Sequence, residues 1–531
     1  MHPTRPPRLT PTAATWCGLA AATTAIGTGH LTAALLEPRS SPFLAIGNAA
    51  IDRTPEPVKH FAITTFGQAD KTALLTGMAL VLALLAATAG LLSRRDPRPG
   101  TALIAATGLL ATAAVLSRPD IGTAGLLAPL VATLTGIAAF HALHRTAPTT
   151  TTPPPPPAHD PHDTLEEPLD PALPPETTHP DRRRFLTTSA AVATTAGLTA
   201  TTGALLPGGP DTDTARRTIA RALPPAGPPT PGTDFADAGT PTFITPNDDF
   251  YRVDTALSIP RIDLADWRLR VHGMVERELD LDFTALRRFP QTTRTITMTC
   301  VSNEIGGPYT STAEFTGVPI RDVLLAAGIR PGAEQVFSTS TDGFTAGTPT
   351  DALLEPERGA LLAYGMNGQP LPAAHGYPVR MVTPGLYGYV SATKWLTDLE
   401  LTTFDKQAYW IQRGWGRLAP IKVQSRIDTP GGFGRIPAGR TTIAGTAWAQ
   451  PIGIERVEVR ADGGPWHTAR LSTEVNPHTW RMWRCELDLP PGGHTIECRA
   501  TDHHGTTQTP RRAPVLPDGA TGWHSVFCTT R

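Results

Sequence analysis

The chain has 531 residues, with 46 Lys plus Arg against 47 Asp plus Glu and a formal net charge of −1 at pH 7. That length allows two or three domains plus membrane segments, and the charge balance argues against a broad basic face for nucleic acid. Five Cys are too few for a disulfide-built scaffold, and neither a CxxCH haem-attachment motif nor a CxxC pair occurs.

Residues 1–145 read as a four-span transmembrane region. Apolar runs of about bilayer-spanning length lie at Ala13–Leu36, Thr72–Leu92, Thr101–Leu116 and Ile121–Leu143. Arg5 and Arg8 precede the first; Arg94, Arg95 and Arg98 separate the second from the third; Arg145 follows the fourth. The positive-inside rule places these cations, and the N-terminus, in the cytoplasm. Residues 146–181 carry five consecutive prolines, Pro153–Pro157, and cannot bury a core, so they read as a cytoplasmic linker. A fifth apolar run, Phe185–Leu206, follows Arg182-Arg183-Arg184 within a segment 182–206. That pattern fits either a twin-arginine export signal or an ordinary membrane stop. An odd number of spans carries the remainder outside the membrane.

Residues 207–240, rich in Pro and Gly, read as a flexible tether. The globular part then begins with Thr242–Arg252. Trp267–Gly273 alternates as a strand, and Leu281–Leu286 reads as a helix entry with a Thr able to cap it. Arg294–Thr299 is a β-branched strand that delivers Cys300 to its end, followed by the loop Val301–Gly307. Taken alone, a Cys so placed is more often a structural thiol than a ligand.

The order of segments resembles the sulfite oxidase family of molybdopterin enzymes. Beyond Cys300, Phe315–Leu325 is similar to the family's W-x-G-V-x-L-x-x-L-L stretch with Phe in place of Trp. Ser340–Phe344 resembles its Asp-Gly-aromatic turn, Met366–Pro372 its M-N-G-x-P-L-P, and His375–Arg380 its H-G-x-P-x-R. Pro384–Gly388 through Lys394–Leu396 is similar to the pterin-closing segment, and Pro420–Ser425 to a P-x-x-x-Q-S element. The resemblance implies an α+β molybdopterin-binding catalytic domain over 241–436. It implies a molybdenum-molybdopterin cofactor with Cys300 as metal ligand, a soft thiolate being the ligand such a metal asks of the protein. It further implies cofactor contacts from Asn247, Tyr251, Arg252, His375, Arg380, Ser391 and Lys394, because a phosphorylated pterin needs cations and hydrogen-bond donors. Arg252, Arg413 and Trp415, with Asp342 or Phe344 nearby, are the candidates for holding an oxo substrate.

Residues 437–531 read as an all-β, immunoglobulin-like sandwich, with strands at Thr441–Trp448, Ile454–Arg460 and His494–Asp502 and a hairpin at Asp462-Gly463-Gly464. The resemblance implies a dimerisation role for this domain. A hairpin centred between Pro491 and Gly492 would set Cys485 opposite Cys498, where either a disulfide or two thiols fits. The resulting expectation is a membrane-anchored oxidoreductase moving an oxygen atom to or from a small oxo compound, sulfite- or sulfoxide-like. Neither haem nor flavin is expected, so electrons pass to a membrane quinone or a redox protein. The competing expectation is a non-catalytic extracellular binding or adhesion protein on a degenerate scaffold, which would have no need of Cys300, Arg380 and Lys394 together.

Overall fold

A computed structural model describes residues 8–55, 58, 61–62, 65–66, 69–118, 121–150, 179–205, 212–228 and 230–531. The chain divides into two compact units, Met1–Gly209 and Pro210–Arg531. The expected proline-rich linker falls almost entirely outside the described residues.

The first unit is helical: α1 (Pro11–Leu36), α2 (Pro42–Arg53), α3 (Asp70–Leu92), α4 (Arg98–Leu116), α5 (Leu127–Thr146) and α6 (His179–Leu205). Thr10 caps α1 by accepting from the Ala13 amide at 3.3 Å, with Pro11 at the first turn. Among the described residues, four helices, Pro11–Leu36, Lys71–Leu92, Arg98–Leu116 and Thr123–Thr146, are long and apolar enough to cross a membrane, as the first four apolar runs predict. Their outer faces carry exposed Leu80, Leu84, Leu109 and Leu134, a surface suited to lipid rather than water. Small residues let the backbones touch: a Cβ on Gly18 would lie 1.9 Å from the Ala86 carbonyl oxygen, and one on Gly90 would lie 1.9 Å from that of Ala14. Helical threonines return their hydroxyls to the preceding turn, as Thr24 does to the Ala20 carbonyl at 2.8 Å. The expected fifth span is a helix, α6, lying against α1 and α5. Its Thr-rich composition keeps it out of the apolar four.

The second unit opens on a helix where the composition predicts a loose tether. The expected tether contains α7 (Thr212–Ala222), and Ile219 from it and Leu223 just past its end, whose amide still donates to the Ile219 carbonyl at 3.1 Å, are buried in the main core. Their spacing of four puts both on one helical face, which anchors a segment whose Pro and Gly content reads as loose. Phe235 is buried farther along, so the stretch is packed rather than free.

Two sheets form the catalytic region. One contains β3 (Thr292–Thr299), β4 (Thr310–Pro319), β7 (Leu361–Met366) and β8 (Gln369–Pro370) in the order β8-β7-β4-β3, with β9 (Arg380–Val382) also paired to β7. The other runs β2-β1-β10-β5-β6, from β1 (Leu269–Gly273), β2 (Leu279–Leu281), β5 (Gln335–Ser340), β6 (Thr345–Pro349) and β10 (Leu396–Thr402), with β1 and β10 parallel. The short helix α8 (Phe283–Leu286) occupies the predicted place, but Asp282 caps it, accepting from Ala285 N at 2.6 Å.

The C-terminal region is a two-sheet β-sandwich. Sheet one runs β11-β13-β17-β16, from β11 (Gln424–Thr429), β13 (Gly439–Trp448), β16 (Arg470–Leu471) and β17 (Arg481–Leu489). Sheet two runs β12-β19-β18-β14-β15, from β12 (Gly434–Ile436), β14 (Ile454–Ala461), β15 (His467–Thr468), β18 (Gly492–Asp502) and β19 (His524–Thr530). Its first strand therefore precedes the expected boundary at 437, because β11 pairs with β13. Ile443, Trp483 and Cys485 from one sheet meet Val457, Val459, Ile496, Cys498 and Cys528 from the other. The expected pairing of Cys485 with Cys498 does not form. Their strands belong to different sheets, Cys485 pairing with Ile443 and Cys498 with His524, and both thiols are free. Alkylation of the unfolded, unreduced protein should modify both; a cross-linked 485–498 peptide would contradict this arrangement.

Candidate functional site

Cys300 follows directly on β3, whose alternation of β-branched and apolar residues makes it a strand, and its thiol is buried. The loop after it closes on itself. The Cys300 amide donates to the Tyr309 carbonyl at 3.0 Å, and the Asn303 amide to the Cys300 carbonyl at 3.1 Å. Asn303 Oδ1 accepts from the Tyr309 amide at 2.8 Å. Burial pushes the Cys300 thiol up, while hydrogen bonds from Ser302 and the charge of Lys394 pull the other way.

The segment 375–394 supplies cations. Arg380, 3% exposed, spends its guanidinium on the carbonyls of His375 (3.1 Å), Met381 (3.3 Å) and Ala392 (3.4 Å), and burial pushes it down to about 10. Lys394 Nζ donates to Asp254 Oδ2 at 2.8 Å and to the Ala374 carbonyl at 3.2 Å. It is pushed down to about 8, mostly by burial, with Asp254 opposing. Gly376, at φ +110°, lets this turn lie flat, since a Cβ there would meet Arg380 Cβ at 3.0 Å and Lys394 Cα at 3.1 Å.

The first loop forms the facing wall. Arg252 Nε donates to the same Asp254 oxygen at 2.9 Å, its side chain 32% exposed and that of Asp254 only 5%. His375 donates from Nε2 to the Asn247 carbonyl at 3.0 Å and packs edge-on against Phe250. Burial, then Arg380 and Lys394, push its imidazole down to about 4, so it stays neutral. The Tyr251 phenol is raised by burial and by the neighbouring Cys300, and the Tyr387 phenol chiefly by burial. Both remain hydrogen-bond donors at neutral pH.

The structure thus brings Cys300, Tyr251, Arg252, His375, Arg380 and Lys394 together. Ser391 and Asn247, like Arg380 and His375, also hydrogen-bond the scaffold. Ser391 donates to the carbonyls of Leu386 and Tyr387, both at 3.0 Å. Asn247 accepts from Asn367 Nδ2 at 2.8 Å and donates to the Met366 carbonyl at 3.4 Å. Arg413 stacks on Tyr409, 3.6 Å from the ring centroid. That ring continues through Trp410 and Trp415 to Tyr389 in contacts of 5.1 to 6.1 Å. Three participants were not singled out: Asp254, Ser302 and Tyr387. The only sequence signal for Asp254 is an acid two residues beyond Arg252.

The charges that bear on Lys394 are Asp254, Arg380 and Arg252, which makes three cations to one carboxylate in the pocket. Buried donors nearby have no protein partner: Trp415 Nε1 and Trp448 Nε1, in the cluster that also holds Val301, Leu386 and Tyr387. A cationic excess with unpaired donors beside a buried thiol fits an anionic, sulfur-ligated cofactor of the molybdopterin kind.

Comparison with known proteins agrees. Residues 256–410 match the oxidoreductase molybdopterin-binding domain model, which makes this a molybdenum-cofactor oxidoreductase domain. Chicken (Gallus gallus) sulfite oxidase is 31% identical over 333 residues, 53% of this chain and 72% of that protein. Human (Homo sapiens) mitochondrial sulfite oxidase is 31% identical over 324 residues, 52% of this chain and 59% of that protein. NADH nitrate reductase 2 of Phaseolus vulgaris is 26% identical over 330 residues, 50% and 37% respectively. The chain belongs to the sulfite oxidase family of molybdopterin-dependent oxidoreductases.

Lys394 gives a pH dependence with a definite sign. Its lowered value means that its charged form costs stability below about pH 8, a cost that disappears as pH rises towards the ordinary lysine value. A bound anion reverses that preference, so anion retention should weaken as pH rises through about 8. Asp254→Asn removes the group that holds Lys394 up, and should move that loss lower by about one pH unit. Cofactor release followed against pH by mass spectrometry checks this; an unmoved or upward-moving midpoint would contradict it.

Proposed function

We propose that this chain is a membrane-anchored molybdenum oxidoreductase that moves an oxygen atom to or from a small oxo substrate of the sulfite or sulfoxide kind. The observation that carries the reading is the buried Cys300 thiol sharing a pocket with the cations Arg252, Arg380 and Lys394. When bound, the cofactor supplies a redox metal able to give or take an oxygen atom. Cys300 would ligate the metal, and a bound metal would favour its thiolate against the cost of burial. Lys394 and Arg380 would grip the pterin's phosphate. Neutral His375 keeps its Nε2–H on the Asn247 carbonyl and so holds the first loop in place. The phenols of Tyr251 and Tyr387 and the half-exposed Arg252 can donate to a substrate oxyanion. Arg413 and Trp415 form the outer aromatic wall.

Electrons leave to, or arrive from, a membrane quinone or a redox protein. The four apolar helices anchor the chain in the cytoplasmic membrane, with the N-terminus inside and α6 as a fifth, export-directing span. The oxidoreductase unit lies outside. The C-terminal sandwich is an immunoglobulin-like module suited to homodimerisation. No nucleic acid is a partner.

Expression in a cofactor-competent host, metal analysis and an oxo-substrate panel with artificial electron donors and acceptors test this reading. Outer partners of a metal ligand are worth about ten- to a hundredfold in activity, so Cys300→Ser should lower kcat by at least about a hundredfold. Unchanged turnover in that variant, or no molybdenum in the wild type, would overturn the proposal.

A further inference from the structure

β3, the strand that delivers Cys300, is an edge strand of its sheet. An exposed edge leaves backbone donors and acceptors unpaired, and here the C-terminal region completes it. The Thr297 amide donates to the His478 carbonyl at 3.0 Å. Gln450 Nε2 donates to the Thr297 carbonyl at 3.1 Å, and Asn476 Nδ2 to the Thr295 carbonyl at 3.1 Å. The Thr297 hydroxyl in turn accepts from the Trp480 amide at 2.7 Å.

The same grip extends past the strand to the loop that Cys300 opens. Arg426 on β11 is buried; its Nη1 donates to the Gly307 carbonyl at 2.9 Å while its Nε donates to Asp428 Oδ1 at 2.6 Å. His524, at the start of β19, lays its ring on Gly306, where a Cβ would lie 2.2 Å from Nε2 and φ is +79°. The ring is itself fixed, since Nδ1 accepts from the Ile427 amide at 3.0 Å. That bond needs the neutral imidazole, and burial together with Arg426 and Arg512 pushes His524 down to about 4. A glycine at 306 is thus demanded twice, by its backbone conformation and by the space the ring occupies.

We propose that Arg426 and His524 are positioning residues for the Cys300 loop, through which the C-terminal sandwich fixes where the sulfur sits. Two strands of the sandwich converge on two consecutive glycines, six and seven residues beyond Cys300. The loop's inner closure, Cys300 to Tyr309 and Asn303 to both, passes that fixed position back to the sulfur. A merely adhesive interface between the two regions would not have to engage the carbonyl and the Cβ space of this loop. The inference rests on the reading of Cys300 as metal ligand.

The test uses the full-length, cofactor-loaded protein with Arg426→Lys and His524→Asn. The first keeps a cation for Asp428 but cannot hold Asp428 and Gly307 as a guanidinium fork does. The second keeps an acceptor for the Ile427 amide but lifts the ring from Gly306. Amide exchange over residues 301–309 should rise about tenfold in each, the effect of losing one strong local contact, while exchange in β5 stays unchanged. The sulfur-to-metal absorption bands should shift, and kcat should fall more than KM changes. Unchanged exchange over 301–309, an equal rise in β5, or unshifted bands would each overturn the proposal. Absence of molybdenum from the wild type would instead be a failure of the underlying reading. It would be seen in metal content alone, and exchange would still decide whether the clamp exists.

Discussion

Two desolvated cations and a buried thiol are a costly combination in one pocket. Burial drives Arg380 down to about 10 and Lys394 down to about 8, and drives the Cys300 thiol up. Each shift records lost water rather than a gained partner. Asp254 relieves part of the strain by bridging Lys394 and Arg252 through one oxygen. What remains is a demand for an anion at the cations, beside a thiol that burial holds neutral. A phosphorylated cofactor meets that demand, and under the proposed function its metal would take the sulfur as well.

Responsibility for that site is spread widely along the chain. The segment matching the molybdopterin-binding domain is residues 256–410, yet Tyr251, Arg252 and Asp254 come before it. The groups that hold the loop after Cys300, Arg426 and His524, come after it. If Cys300 is the metal ligand proposed above, the sandwich is part of the architecture of the reaction centre as well as a separate layer. Its hydrogen bonds to Thr295 and Thr297 cover the edge of the strand on which the sulfur depends.

The features legible in the sequence were local ones. β3 and the placing of Cys300 follow from a run of β-branched residues, and the four apolar helices follow from composition. Arg380 and Lys394 were found by the order of their neighbouring segments. What was illegible depended on distant partners. Asp254 gains its meaning from a lysine 140 residues away. The symmetry of residues around Pro491–Gly492 placed Cys485 and Cys498 face to face, but which sheet each strand joins is settled by pairing with β13 and β19. The bonds of Ser391 to the carbonyls of Leu386 and Tyr387, and of Asn247 to Asn367 and the Met366 carbonyl, were equally illegible, because position in a motif does not reveal which scaffold groups a hydroxyl or amide also meets. The tether differs for the opposite reason: Ile219 in α7 and Leu223 just past its end, four residues apart, outweigh a composition that reads as loose.

The most direct measurement is molybdenum X-ray absorption on the purified protein and on Cys300→Ser. The account predicts molybdenum in both, with one sulfur neighbour fewer around the metal in the variant. Identical sulfur coordination in the two proteins would contradict it.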